Sequence, residues 1–372
     1  MQNKVYRIHG MDALRGIAMW LGVVLHAVMS YQVDPRAGWP KDIMSSPAMD
    51  WIYHYLHSFR MPMFFVVAGF FSSFLLKKIG LKAFIKHRFK RIVLPFLLSI
   101  IIIVPICGFV FSIYRNLILN DEQLGWTNVL MGSLNWTGFY HIWFLYYLII
   151  FYVAYLSIRR VTENLSINKI NEISEIKYFL TALILIAIQY FFFQGQVEPW
   201  TGIVPKIGQL LYFGYFFAIG VFIDANHKFL FTNQYLRYSY ILIGLILLYF
   251  THLYGEQLNY GLYSVLISMQ TVFFVLGHIA IFMNLFNRES RFLRYFSDSS
   301  YWFYLIHFPI VVTLQIVLLD VNVNLWLKFI FIIVFTTAFS TVTYHLFVRF
   351  TWIGTLLNGV RVKNKKLHLS SQ

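Results

Sequence analysis

The sequence predicts an all-α fold, a polytopic membrane protein of about ten transmembrane helices with both termini cytoplasmic. Three observations carry that prediction. The 372 residues are 59% hydrophobic and only 12% charged, where a soluble domain carries about 25% charged residues. The hydrophobic residues gather into ten segments of about 17–28 residues, and a span needs roughly 20. The Lys and Arg residues fall unequally into alternate connections.

The first segment, 11–31, stops at the turn-rich "DPRAGWPKD". The chain start lacks the layout of a cleavable signal peptide, so this segment is expected to stay as a span. The second, 49–76, ends at Lys77. The third, 89–114, follows a run of cations from Lys77 to Arg91 and ends before "NDEQLGW". The fourth, 140–158, stops at Arg159 and Arg160. The fifth, 178–194, is the shortest and leads into "QGQVEPW". The sixth, 203–223, and the seventh, 238–254, flank Lys228 and Arg237. The long eighth, 260–286, ends at "NRESRF". The ninth, 300–319, and the tenth, 325–348, precede a basic tail.

One set of alternate connections holds 23 of the 30 Lys and Arg residues and the other holds five, Arg36, Lys41, Arg115, Lys206 and Lys328. The cation-rich set is expected in the cytoplasm. The net charge of +15 is thus mostly an orientation signal, which argues against a nucleic-acid surface. The single cysteine, Cys107, allows no disulfide within the chain and no thiolate zinc site. His54 and His57 share a helix face, but no third ligand has fitting spacing, so no metal is expected. The halves show no sequence repeat, which weakly disfavours a transporter.

The remaining two cations, Arg15 and Arg60, lie inside spans. Arg15 and His26 are eleven residues apart, which puts them on one helix face roughly 16 Å apart. Asp12 sits one turn from Arg15 and can pair with it. A polar stripe on an apolar helix faces protein or a water-filled cavity. It serves either an interhelical hydrogen-bond seam or a functional site. Arg60 sits roughly 16 Å from the outer end of the second span, too deep to snorkel, with no acidic residue within a turn. His57 lies one turn away.

Taken together, the chain resembles the acyltransferase-3 family of integral membrane O-acyltransferases. Arg15, ten residues, then His26 matches the first-span pair of that family. "FRMPMFFVVAGFF" (59–71), "RFKRIVLP" (88–95), "HIWFLYYL" (141–148) and "SYWFYLIHFP" (300–309) match its later blocks in order. Ala68 stands where the family commonly has Ser before the Gly. The second and fourth blocks are most similar to the glucan biosynthesis protein C branch, which transfers succinyl groups. The resemblance implies one membrane acyltransferase domain over 1–372 in a bacterial cytoplasmic (inner) membrane.

The implied reaction moves a succinyl or acetyl group from cytoplasmic acyl-CoA to a hydroxyl of an extracytoplasmic glycan. Such transfer needs a base, oxyanion stabilisation and a donor held in line. His26 is the expected base, Arg15 an electrostatic or donor-holding group, and Asp12 its orienter. Arg88 and Arg91 are expected on coenzyme A phosphates, or else on anionic lipid. Arg60 suits the free carboxylate of a succinyl donor, or else a structural bond to an acid such as Asp50 or Asp12. His141, Trp143 and His57 are expected on the acceptor side, and His307 is either catalytic or a helix-kink residue beside Pro309. Trp39, Trp126, Trp136 and Trp200 are candidates for stacking on sugars. The expected partners are acyl-CoA as donor substrate, a glycan or glycolipid acceptor and membrane lipid, with no bound cofactor and no nucleic acid. The rival functions are a transporter of an anionic glycan or lipid, and an acyltransferase acting on lipid or peptide.

Overall fold

A computed structural model describes residues 8–119, 126–134, 138–164, 175–226 and 234–359, and all the regular structure among them is helical. Trp136 and both termini lie outside the described residues. In chain order the helices are α1 (His9–Val28), α2 (Pro47–Ile79), α3 (Leu81–Arg88), α4 (Leu94–Ile113) and α5 (Trp126–Leu134). Then come α6 (Trp143–Asn164), α7 (Glu175–Phe192), α8 (Ile207–Ala225), α9 (Gln234–Tyr254) and α10 (Tyr260–Leu285). The last three are α11 (Arg291–Leu318), α12 (Leu325–Thr343) and α13 (Trp352–Asn358).

Nine helices among the described residues are long and apolar enough to cross a membrane. Nine of the ten sequence segments correspond to them. The fifth segment forms α7, whose described apolar part, Leu180–Phe192, falls short of a full span. A second difference concerns the cationic run. Helix Leu81–Asn116 is continuous, so the third helix starts eight residues before the expected 89 and carries Arg88 as well as Arg91. No Pro or Gly interrupts 81–94, and Pro95, inside this continuous helix, offers no N–H to the Arg91 carbonyl, which accepts from the Tyr301 hydroxyl at 2.9 Å instead. A π-helical turn, Phe89–Val93, joins α3 to α4.

Small residues set how closely the helices approach. A Cβ on Gly69 would run into the carbonyl oxygen of Phe217, and one on Gly220 into that of Val66. Those two glycines let α2 and α8 cross backbone to backbone. Gly16 does the same for α1, where a Cβ would stand 3.1 Å from the Cα of Ser297 on α11. Helix α1 touches α2, α10, α11 and α12 and so lies inside the bundle. Its polar stripe faces protein, as the first-span reading requires. The outer helices α4, α9 and α12 instead expose Ile101, Leu242, Leu327 and Val334, the surface that lipid covers.

Ser46 caps α2 by accepting from the Ala48 N–H, and Pro47 starts the helix. At 33 residues α2 is about 50 Å long, well beyond the hydrocarbon core, so its ends reach past both interfaces. It closes at Gly80, whose φ of 76° favours glycine.

Candidate active site

A cavity of about 400 Å³ opens among α1, α2, α6 and α11 near the end of α1 that carries His26. His26, His57, Arg60, His141, Trp143 and His307 all line it. Five of these residues come from four different helices, and His141 comes from the turn that opens α6. The His26 and His307 ring centroids are 5.4 Å apart, and those of His141 and His307 are 5.3 Å apart. Among the described residues no group of three His, Cys, Asp or Glu side chains is arranged to hold a metal ion.

Two of the histidines are held in defined tautomers. His307 Nδ1 lies 2.9 Å from the carbonyl oxygens of Phe303 and Tyr304. A carbonyl only accepts, so Nδ1 carries the hydrogen and Nε2 keeps its lone pair in the neutral ring. That Nε2 is buried without a partner, and it would stand 3.4 Å from a Cβ on Gly22. His141 is fixed the other way. Its Nε2 donates to the Leu305 carbonyl at 3.1 Å, while Nδ1 is buried and unpartnered. Tyr304 then donates to the His141 carbonyl at 2.8 Å, tying α11 to the start of α6. His26 has no such clamp, and its Nδ1 is buried without a partner. Its ring is held by packing instead, stacked on Trp39 at 5.9 Å and edge-on to Phe308 at 4.9 Å.

Trp39 is the roof of the site. It sits on the connection between α1 and α2, which is held down at both sides. Asp42 accepts from Lys328 at 2.7 Å in a fully buried ion pair and from the Met44 N–H at 2.9 Å. The Lys41 N–H reaches the Tyr114 hydroxyl at 3.4 Å.

Arg60 lies wholly inside the bundle. Its Nη1 would meet a Cβ on Gly22 at 2.8 Å, so the absence of a side chain at Gly22 makes room for it. Its Nε is buried and unsatisfied, and none of the described carboxylates pairs with it. Asp50 accepts from Gln32 and the Val33 N–H, while Asp12 pairs with Arg15 at 3.5 Å. Both structural partners named for Arg60 in the sequence are thus engaged elsewhere. The nearest acid in the cavity wall is Glu198, which pairs with His57 at 3.4 Å and accepts from the Tyr53 hydroxyl at 3.0 Å. Burial would raise the Glu198 carboxyl, but the attraction of His57 and its hydrogen bonds outweigh that and hold it at about 2.

The other expected residues gather at the far end of α1. Arg15 donates to Ser297 at 2.9 Å and packs over the Phe71 ring. Arg88 donates to the Phe71 carbonyl at 3.2 Å and to Ser72 at 3.3 Å, and lies over the Phe84 and Tyr152 rings. Arg91 is directed toward Gly359, past the end of α13. The structure therefore brings His26, Arg60, His57, His141, Trp143 and His307 together. It sets Asp12, Arg15, Arg88 and Arg91 apart from them, roughly 16 Å along α1. Trp200 lies under Lys206 at 4.0 Å, and Trp126 opens α5.

Glu198, Tyr304 and the tautomer-fixing carbonyls were not singled out from sequence. For His141 a signal was present. Pro309 has no N–H, so the carbonyl four residues earlier, that of Leu305, has no helical donor and is free for the imidazole.

The acyltransferase-3 family's model, an acyltransferase domain, matches residues 8–345. Among curated proteins the chain is 24% identical over 389 residues to glucans biosynthesis protein C of Escherichia coli O139:H28, covering 97% of this chain and 96% of that one. It is equally similar, over 387 residues and the same shares, to the protein of that name from Escherichia coli O81 (strain ED1a). No solved structure matches it. A bundle of apolar helices around a histidine-lined cavity, matched by the family's model over nearly its whole length, makes this chain a membrane acyltransferase of the acyltransferase-3 family, related to glucans biosynthesis protein C.

Proposed function

We propose that the protein takes an acyl group from acyl-CoA at the cytoplasmic face of a bacterial inner membrane and esterifies a hydroxyl of an extracytoplasmic glycan. The 1–372 chain acts as a single catalytic unit. The observation that carries the reading is the pairing of two sites along α1: a cationic end at Arg15, Arg88 and Arg91, and a histidine cavity at His26. The coenzyme A phosphates rest at the first, and the pantetheine arm follows α1 so that the thioester reaches the second. The relatives' name supplies the acceptor class, a glucan.

In the cavity, His26 takes the proton of the attacking hydroxyl. The new C–O bond forms as the C–S bond breaks, and the proton passes to the leaving thiolate. His307 Nε2, a lone pair beside Gly22, is close enough to share that proton traffic. A buried arginine with no carboxylate partner calls for an anionic ligand. Arg60 meets this need by holding the distal carboxylate of a succinyl group through paired hydrogen bonds. His57, Trp143 and Glu198 line the mouth on the acceptor side.

Mass spectrometry of periplasmic and surface glycans from cells with and without the protein tests this reading. Loss of a succinyl increment is expected. Unchanged glycans with altered uptake of an anionic solute would favour transport instead.

A further inference from the structure

Beside the reaction cavity lies a larger one, about 590 Å³, between α9, α10 and the segment that follows α7. Its volume is within the roughly 300–1,000 Å³ of small-molecule sites. The two cavities share a wall. On α2, His57 faces the first and His54, one turn away, faces the second. In "QGQVEP", Glu198 and Pro199 line the first and Gln194 and Gln196 the second. The wall is fixed in place, since His54 Nδ1 meets Gln196 Oε1 at 2.8 Å and Gln189 donates to the Gly195 carbonyl at 2.7 Å.

The linings differ in charge. Arg36, Arg60 and Arg115 face the reaction cavity, whereas none of the described Lys or Arg residues faces the second, and the carboxylate of Glu256 does. Phosphate or carboxylate ligands are therefore not what the second cavity suits. It offers amides, hydroxyls and imidazoles, groups that both donate and accept, and one carboxylate, Glu256, an acceptor for hydroxyls. His252, at its edge, makes no hydrogen bond to a described residue and packs on Trp51 at 4.4 Å, itself stacked on Tyr249 at 6.2 Å. Hydrogen-bonding groups of this kind, with the Tyr260 and Tyr263 side chains in the same lining, match a pyranose, whose rim carries hydroxyls and whose faces are C–H.

We infer that this second cavity is an acceptor subsite that holds the sugar residues adjoining the one being acylated. The inference rests on the glycan reading above and sharpens it: the acceptor is an oligosaccharide chain, and a free monosaccharide fills only the reaction cavity. Residues 194–199 are the strip along which the chain passes from one cavity to the other.

Binding separates this inference from the reaction itself. The purified full chain in detergent is titrated with a gluco-oligosaccharide of six residues and with glucose, following intrinsic tryptophan fluorescence. The wild type should bind the hexaose much more tightly than glucose. Gln194→Ala and His252→Ala should each weaken hexaose binding about tenfold, at unchanged protein yield and Tm. Equal affinity for hexaose and glucose, or full hexaose affinity in both variants, would overturn the subsite. If the hexaose binds as described while acyl-CoA is never consumed, the subsite stands and the transfer reading falls.

Discussion

His141 donates its Nε2 hydrogen to the carbonyl oxygen of Leu305, and that carbonyl is free because Pro309 has no N–H to offer it. A residue that ordinarily breaks helices here frees an acceptor that orients an imidazole in the neighbouring helix. Pro309→Ala should supply a competing helical donor and loosen His141. The expected result is a rise in Tm of the detergent-solubilised protein together with a fall in kcat. A variant as active as the wild type would show that the orientation of His141 does not matter to turnover.

Gly22 makes room for Arg60 and His307 at once. A Cβ there would lie 2.8 Å from Arg60 Nη1 and 3.4 Å from His307 Nε2. Gly22→Ala should displace the guanidinium, and a misplacement of about 1 Å can cost on the order of 10²-fold in rate. Activity should fall with membrane abundance unchanged. Unaltered kinetics would show that the arginine has room to move without consequence.

In the proposed scheme Arg60 also discriminates between donors. Under Arg60→Gln, succinyl transfer should fall far more than acetyl transfer, because only the succinyl group carries a free carboxylate for the guanidinium to hold. Competition between the two thioesters at equal concentration reads the ratio directly. An equal loss for both would move Arg60 from donor selection to stabilising the oxyanion.

At the far end of α1, Arg88 and Arg91 hold donor phosphates in the proposed scheme. Changing both to Ala should raise KM for acyl-CoA more than it lowers kcat, since phosphate contacts persist from ground state to transition state. Arg88 also holds the Phe71 carbonyl, so Arg91→Ala alone is the cleaner variant, with a smaller shift in the same sense. If insertion suffers and KM does not, these cations serve topology.

Much of this fold is legible in the sequence because membrane spans announce themselves by length and hydropathy, one segment at a time. The exceptions are instructive. Segment 178–194 reads as a span because its aromatic end is apolar, yet its described apolar run is short. The stretch 81–88 falls outside the third segment because it is charged, yet nothing in it breaks a helix, and it continues into α4 through a π turn. Within one helix the geometry is equally legible: Arg15 and His26 share a face, and Asp12 meets Arg15.

Relations between helices are not legible this way. Periodicity places His57, His141 and His307 on faces, but which faces meet depends on packing at glycines such as Gly16 and Gly69. Glu198 is a lone acid in a polar loop, and only the fold sets it beside His57 and Tyr53.

His26 is where the proposed chemistry stands or falls, and thiol release measures it most directly. Purified protein is given succinyl-CoA and the gluco-oligosaccharide, and free coenzyme A is followed for the wild type and His26→Ala. With His26 as the base, the variant should lose about 10²–10⁴-fold in kcat at the same Tm. Near-full thiol release and glycan acylation by a folded His26→Ala protein would contradict the mechanism.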